Sequence, residues 1–124
     1  MYDKLLLKGI IEGGFVMNKV LFKVGRNYMF FNKGDINFIK ADRNYVRLYC
    51  DDKCFVLRKT LRALEEKLDP DNFLRINRST IVNVDKINQL KELENNNYCV
   101  VLNNNEVLPW GRRYREKLVK LIKL

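Results

Sequence analysis

The chain has 124 residues, which fits one domain with an ordinary hydrophobic core and calls for no disulfide or metal staple. Its 47% hydrophobic and 11% aromatic content excludes the disordered class, and 24 Lys+Arg against 15 Asp+Glu give a net charge of +9. An excess of that size points to a polyanionic partner, either nucleic acid or an acidic membrane surface.

Histidine is absent, which excludes Ser-His and Cys-His nucleophile pairs, His-ligated zinc and imidazole proton shuttles. Residues 1–17 hold Leu5, Leu6, Leu7, Ile10 and Ile11 but are broken by Asp3, Lys8, Glu12 and three glycines. They lack the basic start and continuous apolar centre of a secretory signal, and apolar runs throughout the chain are too short to span a bilayer. A short helix or strand ending at Gly13-Gly14 and a linker remnant with Met17 as an alternative start are both open readings. The expected division is an N-terminal extension or linker over 1–19 and one folded domain over 20–124.

Most of that domain reads as strands. Residues 20–24 and 27–31 are β-rich runs around Gly25-Arg26, followed by a turn over 32–35 in which Asn and Gly supply unusual backbone angles. Residues 36–39 begin with the alternation of a half-buried strand. The runs 45–50 and 54–57, joined by Asp51-Asp52-Lys53, read as a hairpin. Cys50, Cys54 and Cys99 make an odd number with no signal sequence, which suits reduced thiols in a cytosolic protein. They fall short of a four-ligand zinc site and read better as small buried hydrophobes; no metal or other cofactor is expected.

The period changes at Thr60, a candidate N-cap, where Leu61, Leu64 and Leu68 form a helical stripe that Asp69-Pro70-Asp71 ends. Strand character returns over 73–76, 80–82, 87–90, 98–102 and 107–108, with Asn95-Asn96-Asn97 and Asn103-Asn104-Asn105 as loop tips. A final helix from about Arg113 places Tyr114, Leu118, Leu121 and Ile122 on one stripe. The expected class is therefore mainly β with short helices: a multi-sheet β fold with one mid-chain helix and a C-terminal helix. There is no βαβ alternation, Gly-rich phosphate loop or internal repeat.

The positive charge gathers at element junctions. Residues 112–124 hold six basic residues against Glu116 alone, and Trp110-Gly111-Arg112-Arg113-Tyr114 is a loop entering a helix with stacking and forked-donor groups in sequence. In Arg75-Ile76-Asn77-Arg78-Ser79-Thr80, alternation puts Arg75 and Asn77 opposite Ile76, with Arg78-Ser79 where the strand should end. The hydroxyl and amide groups there suit phosphate, and Arg78 has the reach for bases. Lys40-Ala41-Asp42-Arg43-Asn44-Tyr45 is a third polar-basic stretch connecting two strands. Each alone is an ordinary solvated turn or helix face; together they would line one edge of a β scaffold.

These residues resemble a known family. Ile36-Asn37-Phe38-Ile39-Lys40-Ala41-Asp42-Arg43-Asn44-Tyr45-Val46 resembles the opening of the LytTR DNA-binding domain. The likeness continues through Leu61-Arg62-Ala63-Leu64-Glu65 and Phe73-Leu74-Arg75-Ile76-Asn77-Arg78-Ser79-Thr80-Ile81-Val82-Asn83. It closes with Val107-Leu108-Pro109-Trp110-Gly111-Arg112-Arg113-Tyr114. It covers roughly residues 20–124.

The resemblance implies a bacterial transcription regulator that reads double-stranded DNA with loops in successive major grooves, bending the duplex toward the protein. Carried over by position, Asn44, Arg78 and Arg113 are the base-facing candidates. Tyr45, Ser79 and Arg112 are phosphate or supporting contacts, Asn77 completes the DNA-binding set, and Asn83 is a structural turn amide. Two positions depart from the family pattern: Asn77 stands where many members carry His, and Gly111 where many carry Ser.

Many members follow a receiver domain, so the resemblance implies either a stand-alone regulator or a response-regulator output domain. It also implies a cytoplasmic location, a receiver-domain or membrane-protein regulator, and two copies, a homodimer on DNA, on repeated half-sites. The rival reading is a single-stranded RNA or DNA binder, a small β-barrel with Tyr28, Phe30, Tyr45 and Tyr49 as stacking platforms, although aromatics at strand spacing are more often core. A nuclease would draw on Asp51, Asp52, Asp69 and Asp71, but both pairs sit in turns without a basic partner at useful spacing, so no enzymatic activity is expected.

Overall fold

The computed structural model describes residues 15–16 and 18–122, and the expectation for Gly13-Gly14 lies outside them. Three antiparallel sheets are present. The first joins β1 (Phe15–Val16), β2 (Lys19–Val24) and β3 (Asn27–Asn32). The central sheet holds β4 (Phe38–Asp42), β5 (Tyr45–Cys50), β6 (Lys53–Leu57), β7 (Phe73–Asn77) and β8 (Thr80–Asn83) in the order β6-β5-β4-β8-β7. The third joins β9 (Ile87–Glu92), β10 (Tyr98–Leu102) and β11 (Val107–Trp110). Helix α1 (Leu61–Lys67) links β6 to β7, and α2 (Arg115–Ile122) follows β11. The expected class, mainly β in several sheets with a mid-chain and a C-terminal helix, is the one observed.

The central sheet is covered on both faces. Ile39, Val46, Leu48, Leu57, Phe73 and Ile81 face a core shared with Val20, Phe22 and Phe31 of the first sheet and the α1 stripe Leu61, Leu64 and Leu68. Phe38, Leu74, Ile76 and Val82 face the opposite core, with Val100, Leu102, Leu108, Trp110 and Leu118. Because strand side chains alternate, the neighbours Phe38/Ile39, Phe73/Leu74 and Ile81/Val82 serve different cores. A strand buried on both faces reads as an unbroken apolar run. This corrects the expectation of a half-buried strand over 36–39: Ile36, Asn37, Phe38 and Ile39 are all buried, and pairing begins only at Phe38.

The hairpin joining β5 and β6 forms as expected, and the Thr60 hydroxyl accepts the Ala63 N–H at 3.1 Å, capping α1. Asp69 accepts the Asp71 N–H at 3.0 Å where the helix has ended. The segment 32–35 departs from expectation. It is a short 3-10 turn over Lys33–Asp35 with no left-handed residue, so neither Asn nor Gly is needed there for its backbone angles. Other aromatics and apolar residues also lie differently. Tyr28 is 61% exposed, Phe30 43% and Tyr45 45%, whereas Tyr49 stacks on Phe38 with ring centroids 4.4 Å apart. In α2, Leu118 is buried but Ile122 is exposed. No helix among the described residues is long and apolar enough to cross a membrane.

Asn83 is fully buried and joins distant segments. Its amide donates to the carbonyls of Lys33 (3.1 Å) and Ile36 (2.8 Å), while its oxygen accepts the Asp85 N–H at 3.1 Å. This is the structural role read for it from the sequence. Asn83→Ala removes the side-chain partner of three backbone groups, so a loss of about 2–3 kcal/mol is expected in chemical denaturation.

Cys50 and Cys99 are buried but Cys54 is exposed, so the expectation of small buried hydrophobes holds for two of the three. Burial pushes the Cys50 thiol up to about 11, with the charges of Asp35 and Asp51 adding to it. Thiol alkylation at pH 8 is therefore expected to modify Cys54 alone in the native protein and all three thiols after unfolding. The folded state holds the Cys50 proton more tightly than the unfolded chain does. Stability is thus expected to fall as pH rises from about 9 to about 11, which denaturation across that window would read.

Candidate nucleic-acid interface

Three turns meet at one end of the central sheet. In the first, β4 and β5 pair as far as Asp42 and Tyr45, leaving only Arg43-Asn44 as the connection. The strands thus reach further into 40–45 than the sequence pattern suggests. Arg43 has φ +58°, a left-handed conformation costing a residue with a Cβ on the order of 1 kcal/mol. Just below this tip, Asp42 and Arg47 form a 2.8 Å ion pair on the sheet surface.

The second turn, Arg78-Ser79, lies beside the first because β8 pairs antiparallel with β4, and the Ala41 N–H donates to the Ser79 carbonyl at 2.8 Å. The β7–β8 register slips between Arg75 and Asn77, and the Asn77 side chain occupies the irregularity. Its oxygen accepts from the Ser79 N–H (2.8 Å) and Oγ (3.1 Å), while its amide donates to the Pro109 carbonyl at 2.7 Å. Asn77 thus binds its own turn and the neighbouring one together. Arg75 Nη2 donates to the Arg78 carbonyl at 2.6 Å, its guanidinium lies 5.8 Å from the Tyr114 ring, and Glu65 of α1 is 3.6 Å away.

The third turn, Gly111 through Tyr114, is tied to the second by its backbone. The Gly111 N–H donates to the Ile76 carbonyl at 2.7 Å. A Cβ at residue 111 would stand 3.2 Å from Asn77 Cβ and 3.3 Å from both Asn77 Cα and the Tyr114 ring, tighter than ordinary carbon contacts. The two departures noted in the sequence, Asn77 and Gly111, therefore touch each other. Trp110 is buried and its indole donates to the Tyr114 carbonyl at 2.8 Å, so this aromatic holds the turn from the core. Arg112 Nε donates to Asn97 Oδ1 at 3.2 Å, and Arg115 donates to the Asn96 carbonyl, fastening the start of the helix to the β9–β10 loop.

The structure places Asn44, Tyr45, Arg78, Arg112 and Arg113 exposed at this end, with Asn77 and Ser79 half-buried beneath. Among the described residues, the side chains of Asn44, Arg78 and Arg113 hold no hydrogen bond or ion pair. A groove of about 240 Å³ opens between the first two turns, walled by Arg43, Tyr45, Lys59, Arg62, Arg75 and Arg78 and by no Asp or Glu. Lys59 and Arg62 enter it from the start of α1. Sequence spacing did not single them out, since only the packing of α1 against the sheet brings them beside Arg78. Arg113 and Tyr114 border Glu65, Glu116 and Lys117 on the side toward α2.

The LytTr DNA-binding domain family matches residues 26–123. The sensory transduction protein LytT of Bacillus subtilis is 26% identical over 105 residues, covering 85% of this chain and 44% of that protein. The CO-responsive transcriptional regulator RcoM of Rhodospirillum rubrum is 27% identical over 107 residues, covering 86% of this chain and 45% of its own length. The chain thus spans less than half of either relative. A solved LytTr DNA-binding domain from Bacillus cereus superposes with a TM-score of 0.74 at 20% identity, covering 88% of this chain and all of that one. That likeness concerns the fold.

Asn77→Ala is expected to lower stability by about 1–2 kcal/mol and to speed amide exchange at Ser79. Gly111→Ala is expected to speed exchange of the residue-111 N–H that bonds Ile76, as the third turn shifts by a few tenths of an ångström. Both are checked by hydrogen exchange followed by NMR.

Proposed function

The chain belongs to the LytTR family of DNA-binding domains, and on that premise we propose that it reads double-stranded DNA by lowering its three turns into successive major grooves, as a bacterial transcription regulator. The observation that carries this reading is that three turns tied together by hydrogen bonds expose Asn44, Arg78 and Arg113, whose side chains hold no hydrogen bond or ion pair among the described residues, with Arg78 on a groove walled by cations. Asn and Arg side chains match the donor and acceptor edges of adenine and guanine. Tyr45, Ser79 and Arg112 flank these three as phosphate contacts, and Asn77 sets the spacing of the second and third turns. The binding unit is residues 20–124, with 1–19 as an extension whose strand β1 lies on the first sheet.

The proposal extends to a cytoplasmic output domain acting in two copies on repeated half-sites, under a receiver-domain or membrane-protein regulator. One small domain offers limited contact area, and paired sites multiply it. Counterion release supplies most of the affinity, and the forked contacts supply discrimination. Exposed Tyr28, Phe30 and Tyr45 give a single-stranded binder its platforms, but only Tyr45 borders the turns.

Arg78→Ala and Arg113→Ala are each expected to weaken binding to a duplex selected from a random pool by about 1–3 kcal/mol while leaving the thermal midpoint nearly unchanged. Binding isotherms on selected and scrambled duplexes check this: equal loss on both reduces these residues to phosphate contacts. Preferential uptake of single strands in the same competition would favour the single-strand reading instead.

A further inference from the structure

A second groove reaches from Tyr45 beyond the three turns to the β2–β3 hairpin. It measures about 520 Å³ and is walled by Lys23, Gly25, Tyr45, Val56, Arg58 and Lys59. It lies between the β2–β3 hairpin and the segment leaving β6. The hairpin turns tightly at Gly25 (φ +63°), a conformation glycine adopts without a Cβ clash, and this brings Lys23 to the rim. Leu57 pairs with Val46, so Arg58 and Lys59 emerge beside the start of β5 and the Arg43-Asn44 tip. Three of the six lining residues are cations, and none is acidic.

This groove continues the one between the first two turns. Tyr45 and Lys59 wall both, so a basic trough runs from the β2–β3 hairpin past the first turn to Arg78. Its chemistry suits a linear polyanion with closely spaced charges, and a DNA duplex presents about one phosphate charge per 1.7 Å of its axis. The wall carries one aliphatic side chain, Val56, and one aromatic ring, Tyr45, so lipid chains would find little purchase.

We propose that the trough formed by Lys23, Arg58 and Lys59 holds the phosphodiester backbone of the DNA that flanks the bases read by the first turn, making the first sheet part of the interface. This rests on the duplex-binding reading above and adds a contact outside the three turns. Such contacts position the duplex and carry no sequence information, so they add to affinity and salt dependence but not to discrimination.

The test uses the full chain and a duplex selected from a random pool, prepared with about ten base pairs of flank on either side and again with the flanks removed. The double variant Lys23→Ala/Arg58→Ala alters two exposed side chains. On the flanked duplex it is expected to bind on the order of tenfold more weakly at low salt, with the slope of log affinity against log salt reduced by about 2. On the trimmed duplex its affinity should match the wild type, and its preference for selected over scrambled sequence should be unchanged on both. The charge-conserving Lys23→Arg/Arg58→Lys should restore binding, which separates lost charge from a damaged fold. An unchanged salt slope on flanked DNA, or an equal loss on trimmed DNA, overturns the trough as a flank contact while leaving the duplex reading intact. A wild-type chain that selects no duplex overturns that reading, and the trough with it.

Discussion

Two peptide segments, one from the central sheet and one from the third, approach so closely that Gly111 donates its N–H directly to the Ile76 carbonyl at 2.7 Å. The absence of a Cβ at residue 111 is what leaves room for Asn77, whose amide then reaches Pro109. This junction holds two sheets in one arrangement and sets how far Arg78 stands from Arg113. Were it loose, the two guanidinium groups would wander relative to each other and each binding event would carry the entropy of aligning them.

The central sheet makes such a junction dependable. Its strands β4, β7 and β8 are buried on both faces, one against the first sheet and α1, the other against the third sheet and α2. A sheet clamped in this way shifts little, so turns projecting from its end are presented by a rigid base while their tips stay exposed. Asn83 does comparable work at the far end of β8, where its buried amide donates to the Lys33 and Ile36 carbonyls.

Electrostatics then act on this frame. The excess positive charge is not spread evenly: cations, and no Asp or Glu, wall the two grooves at the turn end of the sheet. Glu65 of α1 is engaged by Arg75, whose guanidinium also holds the Arg78 carbonyl. An acidic residue here therefore organises a basic site. Arg47 illustrates the same economy beneath the first turn: its pairing with Asp42 strengthens the guanidinium's hold on its proton and keeps one charge away from the grooves.

What the sequence determined by itself was local. Strand runs, the Thr60 cap and the Asp51-Asp52 hairpin follow from period and turn chemistry, because each depends on residues near one another in the chain, whereas Asn44, Arg78 and Arg113 are singled out by the family resemblance. Patterns that depend on what lies across a gap in sequence were not legible. The run Ile36-Asn37-Phe38-Ile39 reads as half-buried until a second sheet is found covering its other face. Tyr28 and Phe30 read as core at strand spacing, yet both are exposed on the first sheet. Cys54 and Ile122 satisfy a local pattern at positions that end at the surface. Nor does spacing place Asn77 against Gly111, or Lys59 and Arg62 beside Arg78. Those proximities arise from strand pairing and helix docking across tens of residues, and only the tertiary structure decides them, since the energy that selects one pairing over another comes from burying both faces of the central sheet at once.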